Sequence, residues 1–125
     1  MKFPYILLKG KYLPIVSLEL RGKEWVELDA FADSGASYSI FHSDIAEILG
    51  ISLEKGKKDY VTVGDGSVMP VYKHDIQVKF CEKKFIAKIG FSKSLGIGFN
   101  ILGRDDFFDR FVFCFDNKKK ELRVN

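Results

Sequence analysis

The chain has 125 residues, a length typical of one domain, and it is 46% hydrophobic and 30% charged. This balance excludes a disordered or collagen-like chain. The 20 basic and 17 acidic residues leave a net charge of only +3, so we predict no nucleic-acid partner. Two cysteines, Cys81 and Cys114, are too few for a disulfide framework and predict a reducing, cytoplasmic compartment. The apolar runs fall far short of the ~20 residues that span a bilayer, and the N-terminus lacks a signal-peptide pattern, so we expect no membrane association.

The predicted elements are mostly strands. Twelve Phe, five Tyr and one Trp, with many Val and Ile, favour sheet over helix. Residues 12–20 read as a strand whose start is weakened by Pro14, and residues 25–32 alternate between apolar and acidic side chains. Three predicted hairpins follow, each with turn chemistry between its strands: 60–63 and 68–72 around Gly64-Asp65-Gly66-Ser67, 75–81 and 84–91 around Glu82-Lys83, and 111–115 and 121–124 around Asp116-Asn117-Lys118.

Two short helices complete the prediction. Residues 43–49 begin at Ser43 as N-cap and end at Gly50. Residues 104–110 would turn three phenylalanines of the segment 107–111 inward. Many hairpins with two short helices predict an all-β fold, a small closed barrel or sandwich. Residues 1–8 fit either an edge strand or a strand at a dimer interface.

Two segments carry the polar groups of interest. In Asp33-Ser34-Gly35-Ala36-Ser37, an acid follows a regular strand and precedes a glycine, which holds the carboxylate on a rigid element near free backbone N–H groups. Taken alone, this pattern also fits an Asx turn that closes a strand. In Asn100-Ile101-Leu102-Gly103-Arg104-Asp105, two apolar residues lead through a glycine into a polar segment. Taken alone, that pattern fits an ordinary strand-to-helix connection.

Together, the two segments resemble the motifs of the retropepsin-like aspartic proteases, the single-lobe group that includes the retroviral enzymes. Asp33-Ser34-Gly35-Ala36 resembles the Asp-Thr/Ser-Gly-Ala motif, and Ile101-Leu102-Gly103-Arg104-Asp105 resembles the later hydrophobic-hydrophobic-Gly-Arg-Asp/Asn motif. The turn at 64–67 lies where these proteins carry a flap hairpin. The resemblance implies one retropepsin domain over residues 1–125, an all-β, small, closed, barrel-like fold with a hairpin flap and one or two short helices.

The resemblance also implies an activity, hydrolysis of a peptide bond in an extended peptide or protein substrate. Asp33 would be the catalytic carboxylate, with Ser34, Gly35 and Ala36 supporting it. Aspartic proteolysis needs two carboxylates that share a proton, and this chain has one such motif, so a homodimer must supply the second Asp33. Gly64, Asp65, Gly66 and Ser67 would form the flap over the substrate, and Leu102, Gly103 and Arg104 would be structural residues beside the site.

Some features leave alternatives open. Retroviral members often carry an acid at the position of Ser37, with which the motif arginine pairs, so Arg104 needs another partner, such as Asp29 or Asp105. Residues 92–98 either line a substrate groove or only connect two strands. Since His42, His74 and the two cysteines lack metal-ligand spacing, we expect no metal and no cofactor. The alternatives to an enzyme are a retropepsin-fold binding or dimerisation module with little or no proteolysis, and an unrelated small β-barrel binder.

Overall fold

The computed structural model of the chain describes residues 1–62, 65–96 and 98–125. Most of the secondary structure is strand, with one regular α-helix and a single 3-10 turn, Leu53–Lys55, among the described residues. No described helix combines the length and apolar character that a membrane crossing requires. The elements in chain order are β1 (Lys2–Pro4), β2 (Ile6–Leu8), β3 (Lys11–Leu13), β4 (Ile15–Arg21), β5 (Trp25–Ala32), β6 (Ser39–His42), α1 (Ser43–Leu49), β7 (Lys57–Thr62), β8 (Val68–Phe80), β9 (Lys83–Ser92), β10 (Asn100–Leu102), β11 (Phe113–Asp116) and β12 (Glu121–Val124).

The main sheet has seven strands in the order β4-β5-β10-β6-β9-β8-β7, and β4 also pairs with β8. The extra pairing joins six of these strands into a ring and leaves β7 outside it. Most neighbours are antiparallel, but β10 runs parallel to β5, and β6 runs parallel to β9. The parallel β5–β10 pair is the feature that positions the candidate site, because it brings the ends of two distant segments together.

The core fills the inside of this ring. The alternation seen in residues 25–32 turns Ala30 and Ala32 inward, where both are buried. Aromatic side chains supply much of the remaining volume, and Phe80 makes edge contacts with Phe107 and Phe111. Each such side chain contributes about 1.5–3 kcal/mol when it is removed from water. The buried ring interior therefore holds the strand register on which the site depends.

Two smaller sheets lie outside the ring. Strands β1, β12 and β11 form a three-stranded sheet, and β2 and β3 form a separate hairpin. Residues 1–8, which fit either an edge strand or a strand at a dimer interface, form two strands with different partners. Its first strand, β1, pairs with β12 of the same chain, and its second strand, β2, pairs only with β3 within the described residues.

The predicted all-β class with short helices is confirmed. Helix α1 has the predicted bounds, and Gly50 ends it in the left-handed conformation with φ of 74°. The predicted N-cap is wrong by one residue, because His42 occupies that position, without a side-chain cap bond, and Ser43 is the first helical residue.

The second predicted helix, 104–110, is not regular. A wide helical turn spans Arg104–Phe108, and within it Asp105 and Asp106 have non-helical dihedral angles. The break lies at Asp105, with ψ of 126°, and at Asp106, with φ of 68°. The backbone N–H groups of Arg104 and Asp105, which have no acceptor within a helix that begins at this point, donate to the carbonyls of Ala36 and Ser37.

Several strand boundaries also differ from the prediction. Pro14, which has no N–H to donate, divides segment 12–20 into β3 and β4. Segments 68–72 and 75–81 form one strand, β8, because both keep their pairing with neighbouring strands. The turn between β8 and β9 falls at Cys81 and Glu82, which both have positive φ, and the strand predicted from residue 111 begins at Phe113.

Candidate active site

Asp33 follows directly on β5 and is half-buried. Its backbone N–H donates to the carbonyl of Leu102, at 3.0 Å, which continues the parallel register in which Leu102 lies opposite Ala32. The end of β10 therefore fixes the backbone that carries the carboxylate. The two predicted motifs, about 70 residues apart in sequence, meet at this point.

A tight turn orients the Asp33 side chain. The N–H of Gly35 donates to Asp33 Oδ1 at 2.9 Å, and the N–H of Ala36 donates to the Asp33 carbonyl at 3.1 Å. A Cβ at position 35 would lie 3.2 Å from Asp33 Oδ1, so glycine gives the carboxylate and its donor room to approach. Ser34 is exposed, and its backbone carbonyl accepts a long hydrogen bond, 3.4 Å, from Arg104 Nη1.

Arg104 binds a backbone carbonyl where the sequence predicted a carboxylate partner. Within the described residues it forms no ion pair with Asp29, Asp105 or any other acid. Its guanidinium reaches the Asp33 turn through the Ser34 carbonyl, and its backbone N–H reaches the same turn through the Ala36 carbonyl, at 2.9 Å. Arg104 therefore braces the turn without a carboxylate.

Gly103 packs against the same turn from below. A Cβ at this position would fall 2.5 Å from the backbone C and O atoms of Tyr38, so only glycine fits without a backbone shift. The Gly103 N–H donates to Ser39 Oγ at 2.9 Å, and the Ser39 side chain is fully buried. This inward hydroxyl and the glycine form a second brace. The sequence had indicated Gly103 as a residue beside the site, but not Ser39.

The Asp33 turn opens into a cleft of about 700 Å³. The far wall comes from the β7–β8 hairpin, and Ser94, Leu95 and Gly96 add to the rim. This part of the segment predicted at 92–98 therefore lines a groove. Because most of the lining side chains are apolar, the cleft suits apolar groups of a bound chain. The described lining comprises Asp33, Gly35, Ala36, Ser37, Tyr38, Ile40, Val61, Thr62, Met69, Ser94, Leu95, Gly96 and Ile101.

Tyr38 connects the turn to the hairpin wall. The Nζ of Lys73 on β8 lies 3.9 Å from the centre of the Tyr38 ring, and it pairs with Asp59 on β7 at 3.1 Å. Burial, and to a smaller extent the Asp59 carboxylate, raise the pKa of Tyr38 to about 12, so the phenol stays neutral. A cation over an aromatic face contributes about 0.5–2 kcal/mol.

The residues predicted for the flap tip are placed differently. Asp65, Gly66 and Ser67 are exposed between β7 and β8, and the described lining of the cleft stops at Thr62 and Met69. Asp65 Oδ1 accepts from the N–H and hydroxyl of Ser67, and these bonds, the hydroxyl's first, hold the pKa of Asp65 below its usual value. Gly64 lies outside the described residues. The hairpin thus stands where the prediction puts it, but its described tip does not line the cleft.

Sequence reasoning missed Asn100, which ties three strands together. Its Nδ2 donates to the Asp29 carbonyl on β5 at 3.1 Å, and its Oδ1 accepts from the His42 N–H on β6 at 3.0 Å. The available signal was an asparagine directly before two apolar strand residues, because an amide that becomes buried there must find hydrogen-bond partners. It also missed most of the apolar lining, because those side chains come from five separate segments.

Within ranges 1–62, 65–96 and 98–125, no group of three or more His, Cys, Asp or Glu side chains converges as a metal site. Another cleft, of about 400 Å³ between Phe3, Glu27 and Lys84, does not include Asp33. The groups present at the Asp33 cleft are a carboxylate and backbone donors beside an apolar groove.

This arrangement of strands is the retropepsin fold. The chain is similar to the solved structure of a retropepsin-like aspartic protease from Rickettsia conorii, with 19% sequence identity and a TM-score of 0.70, over 100% of this chain and 98% of that one. It is also similar to EIAV protease in complex with the inhibitor HBY-793, with 19% identity and a TM-score of 0.61, over 84% of this chain and 94% of that one. No protein-family model and no curated protein sequence matches the chain.

Proposed function

We propose that this protein is an aspartic endopeptidase that acts as a homodimer, with Asp33 of each copy in one reaction centre. The observation that carries the proposal is the Asp33 turn itself. A half-buried carboxylate accepts a 2.9 Å bond from Gly35, is braced by Leu102 from behind, and borders an apolar cleft. Both named structural neighbours are proteases, which supports the same reaction class.

The chemistry requires a second carboxylate. Two carboxyl groups about 3 Å apart cannot both ionise, so the pair holds one proton and titrates as a coupled unit. The ionised member takes a proton from water, and the water oxygen attacks the peptide carbonyl carbon while the protonated member donates to the carbonyl oxygen. The carboxyl that took the water proton then donates it to the leaving nitrogen as the C–N bond breaks, and the other, now ionised, carboxylate takes a hydroxyl proton from the tetrahedral intermediate, which becomes the product carboxylic acid. A two-fold axis beside Asp33 supplies the pair from one residue type.

The neighbouring residues have supporting roles in this proposal. Gly35 orients the carboxylate, Ser34 offers its exposed hydroxyl to the bonds around the dyad, and Ala36 leaves space for the substrate backbone. The substrate lies extended along the cleft, with its main chain hydrogen-bonded and alternate side chains in apolar pockets. The β7–β8 hairpin, with its tip at 64–67, acts as the flap that covers the bound peptide and excludes water.

We also propose that residues 1–125 form one domain and that it works in a reducing, cytoplasmic compartment. Both thiols, Cys81 and Cys114, are free, which fits that setting. Burial raises the pKa of Cys81 to about 11, so this thiol stays protonated and unreactive at neutral pH.

The decisive experiment measures cleavage of an unfolded protein substrate between about pH 4 and 7, with wild type and Asp33→Asn. We expect cleavage by the wild type, inhibition by a peptide mimic that carries a hydroxyl at the scissile position, and at least a ~1,000-fold loss in the variant. The asparagine keeps an oxygen to accept from Gly35, so circular dichroism should remain unchanged.

Asp29→Asn is the matched control, because Asp29 is exposed on β5, the strand that leads to Asp33, and this variant should keep full activity. Light scattering should show a dimer under the assay conditions. Equal cleavage by wild type and Asp33→Asn would contradict the proposal. A folded dimer that cleaves nothing across this pH range would instead favour the alternative, a retropepsin-fold binding or dimerisation module.

A further inference from the structure

The β2–β3 hairpin exposes an unusual amount of apolar surface. Leu7 and Tyr12 lie opposite each other across the hairpin, and each keeps more than half of its surface exposed, 54% and 53%. Ile6 and Leu8 are exposed as well. Within the described residues no third strand pairs with this hairpin. Isolated two-stranded hairpins are marginal in water, so this one is expected to pack against another surface.

The hairpin is fixed at its base and free at its tip. At one end, the Tyr5 N–H donates to the Lys120 carbonyl at 2.8 Å, and the Tyr5 hydroxyl donates to Asn117 Oδ1 at 2.7 Å. At the other end, the Pro14 carbonyl accepts from the N–H of Ala32, the residue before Asp33, at 2.9 Å. The base of the hairpin therefore lies beside the candidate catalytic carboxylate, and its two strands extend roughly 10 Å from there.

The charges of the tip match a second surface near the site. Lys9 and Lys11 are exposed, and Lys9 and Gly10 form the positive-φ turn between the strands. The loop that braces the Asp33 turn carries exposed Asp105 and Asp109, which form no ion pair within the described residues. The neighbouring Asp106, by contrast, is engaged by Arg110 at 3.2 Å.

We propose that the β2–β3 hairpin is a dimerisation arm, which packs its apolar side chains on a second copy of this chain and sets Lys9 and Lys11 against the exposed carboxylates of Asp105 and Asp109 in that copy. The inference rests on the proposed function, since the dyad requires the two-fold axis to pass beside Asp33. Any element anchored to Ala32 then lies close to that axis. Because the base of the arm and the loop that carries Asp105 and Asp109 are both tied to the Asp33 turn, both lie near that axis, and the proposal requires each arm to extend towards the other copy's loop.

The test compares the dimer dissociation constant of wild type with that of the double variant Leu7→Ser/Tyr12→Ser, by analytical ultracentrifugation at about neutral pH. Both side chains are exposed, so the monomer fold should persist, as checked by circular dichroism. We expect the dissociation constant to rise at least ~10-fold. Ile86→Ser is the matched control, because Ile86 is 60% exposed on β9 and lies outside the proposed interface.

Charge reversal tests the second half of the proposal. Lys9→Glu/Lys11→Glu should weaken the dimer, Asp105→Lys/Asp109→Lys should weaken it as well, and the variant with all four changes should recover at least part of the loss. Failure of the combined variant to recover would remove the proposed charge pairing.

A tandem fusion, with two copies of Leu7→Ser/Tyr12→Ser joined by a flexible linker, separates this proposal from the proposed function. The linker raises the effective concentration of the partner, so cleavage should return towards the wild-type rate. A wild-type dimer that is unchanged by the hairpin variants overturns the arm but leaves the protease intact. A wild type that stays monomeric and inactive overturns both.

Discussion

Two aspartates of this chain sit in nearly the same local turn and have very different surroundings. Asp33 accepts from the N–H of Gly35 at 2.9 Å, and Asp65 accepts from the N–H of Ser67 at 2.8 Å. The Asp65 turn is exposed at the end of a hairpin. The Asp33 turn is instead tied to β10 and to the following loop by bonds from Asp33, Arg104 and Asp105.

The difference shows that the Asx turn alone does not define a site. The same two-residue bond forms wherever an aspartate precedes a suitable N–H group. What distinguishes Asp33 is the packing beneath its turn, where Gly103 lies against the Tyr38 backbone and donates to the buried Ser39 hydroxyl. Pre-organisation of this kind is what general acid–base chemistry requires.

The largest expected effect comes from filling the space under the Asp33 turn. In Gly103→Ala, the new methyl group meets the Tyr38 backbone at 2.5 Å, and the backbone cannot rotate away. We expect a loss of about 3 kcal/mol in the free energy of unfolding, measured with urea. Gly98→Ala is the control, because nothing lies within 4 Å of its added Cβ. Equal stability of the two variants would show that the close packing under Asp33 is not needed.

We expect a smaller effect from removing the serine hydroxyl that supports each turn, Ser39 beneath the Asp33 turn and Ser67 in the Asp65 turn. Ser39→Ala leaves the buried N–H of Gly103 without its acceptor, which should cost about 1–3 kcal/mol of unfolding free energy. Ser67→Ala removes only exposed bonds to Asp65, and should change stability by less than about 0.5 kcal/mol. Thermal and urea unfolding of both variants would check this ranking, and a larger loss in Ser67→Ala would reverse the comparison.

The smallest effect is a shift in titration. The Ser67 bonds lower the pKa of Asp65 below 3.8, so the carboxylate stabilises the folded turn above that pH, and this stabilisation is lost as pH falls through the folded-state pKa. In an NMR titration, Ser67→Ala should move the Asp65 midpoint upward, towards its usual value. Ser52→Ala, a change at an exposed serine outside the turn, should leave the midpoint in place. An unchanged midpoint in Ser67→Ala would mean that the bonds to Ser67 do not bias the charge.

Local signals in the sequence predicted the strands, the helix α1 and the place of Asp33. Alternating burial in β5 and the glycine that ends α1 depend on neighbouring residues only, and both are confirmed. Leu102, Gly103 and Arg104 lie beside the Asp33 turn. The sequence pointed to them only through the resemblance of their motif to that of the retropepsin-like proteases.

Features that depend on distant partners were not predictable in the same way. The helix expected at 104–110 is broken at Asp105 and Asp106, and its first two N–H groups donate to the Ala36 and Ser37 carbonyls. Periodicity contains no information about such distant acceptors. Arg104 was expected to form an ion pair, but it donates to the Ser34 carbonyl, and this partner is also far away in the sequence. The position of the Asp65 tip relative to the cleft depends on the course of a long strand.

That strand, β8, is continuous over 13 residues. Its lower part pairs with β9 on one side and, at Val78 and Lys79, with β4 on the other, whereas residues 68–71 pair with β7 alone. The lower part of β8 is therefore held on both sides and its upper part on one side, with no loop between the two. We expect any movement of the upper end to be a bend distributed along the strand, because the strand offers no loop at which it could pivot.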